Sequence, residues 1–156
     1  MIYLEYLQSP IGLIEMAEEN KKLVSLKFVK NKQKSAKSEF LQMCKIQLID
    51  YFGQKRTQFE IPIFLQGTEF QMKVWEELQK IEYSKVKTYK TIAEKIGNSQ
   101  AYRAVGNSVG KNPIPIIVPC HRVITNDCKI GGYSGGLKIK EFLLQLEGIY
   151  IKKRIE

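Results

Sequence analysis

The chain has 156 residues, 44% hydrophobic and 26% charged, with 25 Lys and Arg against 16 Asp and Glu for a net charge of +9. That size suits one domain or two small ones with an ordinary core, and no apolar run is long enough to cross a bilayer, so no membrane partner is expected. The three cysteines, Cys44, Cys120 and Cys128, are odd in number and form no CxxC pair, which argues against a disulfide framework or a zinc site and suits a reducing cytoplasm.

The opening residues lack the basic region and long apolar stretch of a signal peptide. Residues 2–7 alternate loosely and predict a strand. Ser9, Pro10, Ile11 and Gly12 are turn residues. Residues 13–17 and 23–29 predict two more strands, joined by a polar turn over 18–22. A lysine-rich loop follows over 31–38. Ser38 is placed to cap a helix with Phe40, Leu41, Cys44, Leu48, Tyr51 and Phe52 on one face and Gly53 as its stop. Residues 59–65 hold Pro62 and fit an edge strand or an extended connector. This first part predicts a small α+β unit with a short antiparallel sheet and no evident chemistry.

Composition changes at Gln66-Gly67, so we expect domains over 1–66 and 67–156. Thr68 with Gln71 makes a capping box ahead of a core stripe of Phe70, Val74, Trp75 and Leu78. Thr88 caps a second helix with Ile92, Ala93 and Ile96 inward and Gly97 at its end. Ser99 is expected to cap a third over 100–109, with Ala101, Ala104, Val105 and Ser108 on one side. Two short helices joined by a Gly-containing turn fit a helix-turn-helix, or simply an interhelical packing surface. The other side of the third helix offers Tyr102, Arg103, Gly106 and Asn107. Its residues are small and Arg103 is its one long arm, which suits a narrow groove better than base reading in the major groove. Between residues 85 and 125 there are seven basic residues and one acid, Glu94. Such a local cationic field favours a polyanion.

Residues 113–122 carry prolines at 113, 115 and 119 directly before Cys120 and His121, the only histidine in the chain. Three fixed φ angles make a stiff apolar segment that delivers one thiol to a defined place. It reads as a buried strand ending in a structural cysteine, or as a nucleophile with a histidine partner. Gly131, Gly132, Gly135 and Gly136 surround Tyr133 and Ser134 and imply close approach of main chain to a partner. The last helix should turn Ile139, Phe142, Leu143 and Leu146 inward, with Gly148 as its C′ residue. Glu147 lies beside that stripe, as a solvated rim residue or as a carboxylate needing a cation such as His121.

The run from Asn112 through Pro113, Pro115, Pro119, Cys120, His121 and Arg122, then Gly132-Tyr133-Ser134-Gly135-Gly136-Leu137 and Leu146-Glu147-Gly148, with Thr88-Tyr89 and Arg103-Ala104-Val105-Gly106 upstream, resembles the methylated-DNA–protein-cysteine methyltransferases. The resemblance implies a ribonuclease-H-like N-terminal domain and a mostly helical, winged helix-turn-helix-like C-terminal domain. It implies DNA repair by direct reversal: a single, irreversible transfer of the alkyl group of O6-methylguanine, and of O4-methylthymine, from a base flipped through the minor groove of double-stranded DNA. Under it Cys120 is the acceptor, His121 the base acting through a water, Glu147 its orienter, Asn112 the residue fixing the turn, and Tyr89 a donor to the guanine. Thr88, Tyr102, Arg103, Ala104, Gly106 and Asn107 would meet DNA, with Arg103 filling the gap in the stack. Pro115, Val123, Tyr133 and Ser134 would border the base. No cofactor or metal is implied, and a monomer is expected. Glu69, Ser108 and Cys128 depart from common family residues. A repair-deficient binder of alkylated DNA is disfavoured by the presence of Cys120, and a turning-over cysteine hydrolase by the basic helix pair.

Overall fold

A computed structural model describes residues 1–133 and 135–151. The chain forms two compact units, Met1–Leu65 and Gln66–Glu156.

In the first unit, strands β1 (Ile2–Ser9), β2 (Gly12–Glu19) and β3 (Lys22–Val29) form an antiparallel meander. The expected turn over 18–22 is tighter than the sequence implied. Only Asn20 and Lys21 lie between the strands, at φ 53° and 58°, as a two-residue hairpin requires when its twist matches that of its strands. The central strand is buried on both faces from Ile14 to Ala17. Helix α1 (Glu39–Phe52) packs on this sheet and buries Leu41, Cys44, Leu48 and Tyr51, while Phe40 and Phe52 are only half-buried. Ser38 caps it, accepting from the Leu41 amide. Gly53 ends the helix at φ −81°, and Gln54 takes the left-handed conformation instead, at φ 60°. Residues 59–65 form an extended connector with one parallel bridge, Leu23 to Ile63. The buried Gln47 holds its start, accepting from the Glu60 amide and donating to the Glu60 carbonyl.

In the second unit, α2 (Glu69–Gln79) opens with the Thr68–Gln71 capping box and buries Val74, Trp75 and Leu78. Trp75 Nε1 donates to the Ser108 carbonyl at 2.8 Å. Strand β4 (Lys87–Thr88) leads into α3 (Tyr89–Lys95), capped by Thr88. Gly97, at φ 89°, ends it. Asn98 rather than Ser99 then caps the chain, through a 3-10 turn over Ser99–Ala101, and α4 runs Tyr102–Gly110. The later start rotates the buried face to Val105, Ser108 and Val109 and leaves Ala104 exposed beside Tyr102, Arg103 and Asn107. Strand β5 (Val123–Ile124) pairs in parallel with β4, and the long loop after it forms the wing. Helix α5 spans Leu137–Leu146.

The inward face of α5 is not the expected 139, 142, 143 and 146. Ile139, Phe142 and Leu146 are half-buried, whereas Lys140, Leu143, Leu144 and Glu147 are buried. Those four lie at i, i+3, i+4 and i+7, one face of a helix. Two charged side chains therefore point inward from a single stripe, and hydropathy alone places that stripe one position off.

Candidate active site

The proline-rich segment is a knot of tight turns rather than a strand. Pro115 and Val118 bridge one another, and Ile116 is held at φ 74°, a conformation that costs a β-branched residue free energy and persists only where its surroundings impose it. Asn112 imposes it. Its Nδ2 donates to the Val118 carbonyl at 2.8 Å and its Oδ1 accepts from the Ile114 amide at 2.9 Å, both buried. Pro119 sits at φ −80°, ψ 66° and the Cys120 amide donates back to the Val118 carbonyl at 2.8 Å, an inverse γ-turn. The chain then enters one 3-10 turn, Cys120–Arg122.

Cys120 is 2% exposed, yet it faces a cavity of about 200 Å³ lined also by Tyr89, Gly106, Val109, Gly110, Gly132 and Tyr133. Burial pushes its thiol above the ordinary range, opposed by hydrogen bonds from Asn112 and Tyr133 and by the charge of Lys140. Burial thus favours the protonated thiol.

His121 lies next in sequence. It is fully buried, with Nε2 2.7 Å from Glu147 Oε2. Glu147 also accepts from Arg122, Nε to Oε1 at 2.8 Å and Nη2 to Oε2 at 3.0 Å, and from the Ser84 amide at 3.1 Å. Burial alone would raise the carboxyl, but His121 and Arg122 together pull it down to about 2. The carboxylate is then purely an acceptor, so His121 Nε2 presents a hydrogen to it. Nδ1 is buried with no hydrogen-bond partner among the described residues. Burial holds the imidazole below its ordinary pKa, with Glu147 opposing and Arg122 and Lys140 adding to the depression.

Lys140 closes the site from α5. It is fully buried and donates to the carbonyls of Val123 at 2.5 Å and Gly132 at 3.1 Å. Its ammonium lies 6.0 Å from the Tyr89 ring centre, and burial brings it down to about 8. Gly131, at φ 71°, packs so closely that an added Cβ would lie 3.3 Å from the Tyr89 hydroxyl.

The match to known proteins runs the length of the chain. The family description "6-O-methylguanine DNA methyltransferase, ribonuclease-like domain" fits residues 2–65, and "6-O-methylguanine DNA methyltransferase, DNA binding domain" fits residues 69–149. The methylated-DNA–protein-cysteine methyltransferase of Methanosarcina barkeri is 44% identical over 94% of this chain and 97% of its own. The chain belongs to the 6-O-methylguanine DNA methyltransferase family. The Mycobacterium tuberculosis O6-methylguanine methyltransferase is similar in structure, with a TM-score of 0.86 at 37% identity over 94% of this chain and 93% of that one. A second M. tuberculosis structure, in complex with DNA, has a TM-score of 0.86 at 38% identity over 92% and 91% of the two chains. Schizosaccharomyces pombe Atl1, solved with damaged DNA containing O6-carboxymethylguanine, is 32% identical over 57% of this chain and 84% of its own, with a TM-score of 0.51.

In this methyltransferase the expected site residues fall into groups. Cys120, Tyr89, Gly106 and Tyr133 share the cavity, Asn112 builds its turn, and His121 and Glu147 form the buried pair behind it. Tyr102, Arg103, Ala104 and Asn107 lie together on the exposed side of α4. Tyr102 and Gly106 border a neighbouring pocket of about 370 Å³ with Tyr89, Thr125, Asn126 and Asp127. Thr88 serves α3 as its cap. Pro115 and Val123 are buried but do not line the cavity; Val123 contributes its carbonyl to Lys140. Ser134 lies outside the described residues. Sequence reasoning missed Arg122 and Lys140. Arg122 stands beside the Cys-His pair, and Lys140 is three residues before Leu143 and seven before Glu147, a spacing that marks their common face.

Proposed function

We propose that this methyltransferase repairs double-stranded DNA by moving one alkyl group from O6 of guanine to Cys120 and is spent in doing so. The observation that carries this reading is a buried thiol at a small cavity, backed by a buried His121–Glu147 pair whose free imidazole nitrogen has no partner among the described residues. Relatives named for this transfer and solved with DNA support it.

The exposed side of α4 enters the minor groove. Its small residues let the backbone approach, and Arg103 fills the space left by the flipped base. Unstacking costs a few kcal/mol, partly offset by that insertion. His121 Nδ1 takes the thiol proton through a water while its Nε2–H stays on Glu147. The thiolate attacks the methyl carbon in line, the S–C bond forms and the C–O6 bond breaks. The electron pair passes to the purine, which Tyr89 meets with a hydrogen-bond donor at N3. The proton held by His121 returns to the guanine, so thiol and O6-methylguanine become S-methylcysteine and guanine. Every atom balances without cofactor or metal. O4-methylthymine offers the same alkyl–oxygen bond and is a second substrate. We assign binding and transfer to the domain over 67–156, working as a monomer.

Incubation with methylated duplex should add one methyl group, located on Cys120 by mass spectrometry. Repeated turnover, or transfer that survives Cys120→Ala, would overturn the reading.

A further inference from the structure

Glu147 has two basic side chains on it where orienting a histidine needs only one. We infer that Arg122 is a positioning residue for the transfer: by forking onto the carboxylate that also receives the imidazole, it keeps His121 neutral and its hydrogen on Nε2, so that Nδ1 is open for the thiol proton. This rests on the proposed transfer to Cys120.

The geometry is specific. Oε2 of Glu147 is shared between His121 Nε2 at 2.7 Å and Arg122 Nη2 at 3.0 Å, while Oε1 takes Arg122 Nε at 2.8 Å and the Ser84 amide at 3.1 Å. Arg122 is itself fixed. Its Nη1 donates to the Ile81 carbonyl at 2.6 Å and its guanidinium lies 5.8 Å from the centre of the Tyr83 ring. It is 6% exposed, so little water screens its charge.

A histidine paired with a lone buried carboxylate gains a proton easily, because the imidazolium–carboxylate pair satisfies both charges. Such an imidazolium carries hydrogen on both nitrogens and cannot accept another. A guanidinium is a permanent cation with a planar fork matched to a carboxylate. With Arg122 in place the carboxylate is neutralised before His121 is considered, and a proton on the imidazole would face that cation. Among the described residues, the groups that act on the imidazole are Lys140 from α5, Glu147 at its C-cap and Arg122 from the turn of His121 itself. Of these three, Glu147 alone favours the charged ring. Arg122 weakens that pull without removing the hydrogen bond that aims the ring.

The chain holds a single histidine, so imidazole ¹⁵N resonances report His121 alone. In the wild-type protein at pH 7 they should show a neutral ring with hydrogen on Nε2. In Arg122→Gln the titration should move to higher pH, and the acid limb of the transfer rate should move with it, slowing transfer about tenfold near pH 6. Arg122→Lys keeps the charge and should titrate close to wild type although the fork is gone. A folded Arg122→Gln protein with an unmoved titration would reduce Arg122 to a structural tie. If that variant does not fold, the wild-type resonances decide: an imidazolium, or hydrogen on Nδ1, at pH 7 overturns the inference. A wild-type protein that moves no alkyl group from duplex DNA would sink the transfer reading itself, whatever the imidazole reports.

Discussion

Asn112→Ala offers a direct test of how the thiol is held. The substitution removes two buried hydrogen bonds at once, to the Ile114 amide and the Val118 carbonyl. Neither group has an alternative route to water, because both residues are fully buried. The Val118 carbonyl keeps the Cys120 amide as a donor, so the Ile114 amide is the group left unpaired, and one unsatisfied buried polar group costs about 2 kcal/mol. That is a large part of the about 5–15 kcal/mol that stabilises an ordinary domain. The turn also carries Ile116 at φ 74°, and without its clamp this strained residue should relax and carry Cys120 out of line. Denaturant titration at pH 7 should show a lower midpoint with an unchanged slope, and single-turnover transfer should slow in protein that is still folded. Asn112→Asp is a second arm. It keeps an acceptor for the Ile114 amide but sets a carboxylate against the Val118 carbonyl and beside the thiol, so transfer should slow further. An Asn112→Ala protein within about 0.5 kcal/mol of wild type, with transfer unaltered, would refute the reasoning.

Glu147→Gln tests the buried charge by acid unfolding. The folded carboxyl lies at about 2 against an ordinary 4.5, so its contribution, roughly 3 kcal/mol, is present above pH 4.5 and is lost as pH falls toward 2; the variant should be less stable at pH 7 and show a flatter acid limb. Lys140→Met removes a base whose folded value is about 8 against 10.5. Between those values the unfolded chain binds more protons, so wild-type stability rises with pH there and that rise should vanish in the variant, together with the anchoring of Val123 and Gly132, seen as loss of amide protection in the wing. Arg103→Ala should slow repair of duplex more than attack on free O6-benzylguanine and lower the salt dependence of DNA binding by about one phosphate contact; equal losses on both substrates would remove the wedge role from Arg103.

The local signals that the chain carries were sufficient for much of the architecture. Ser38, Thr68 and Thr88 cap the helices they precede, because a side-chain oxygen at an N-cap answers a need that is purely local. The three strands and their order follow from alternation and short turns. A stiff segment ahead of Cys120 was also legible, since three prolines limit the backbone wherever they occur.

Tertiary structure decided what depends on partners distant in sequence. That Ile116 turns back at a positive φ depends on Asn112 bonding across the turn, which no local preference of isoleucine would suggest. That Lys140 is buried contradicts its hydropathy and becomes tolerable only because the carbonyls of Val123 and Gly132 receive it. That Arg122 and His121 share one carboxylate requires α5 to bring Glu147 against a turn about 25 residues earlier. Burying a charge is unfavourable for the residue alone and favourable for the assembled set, so only the folded chain reveals where the charges meet.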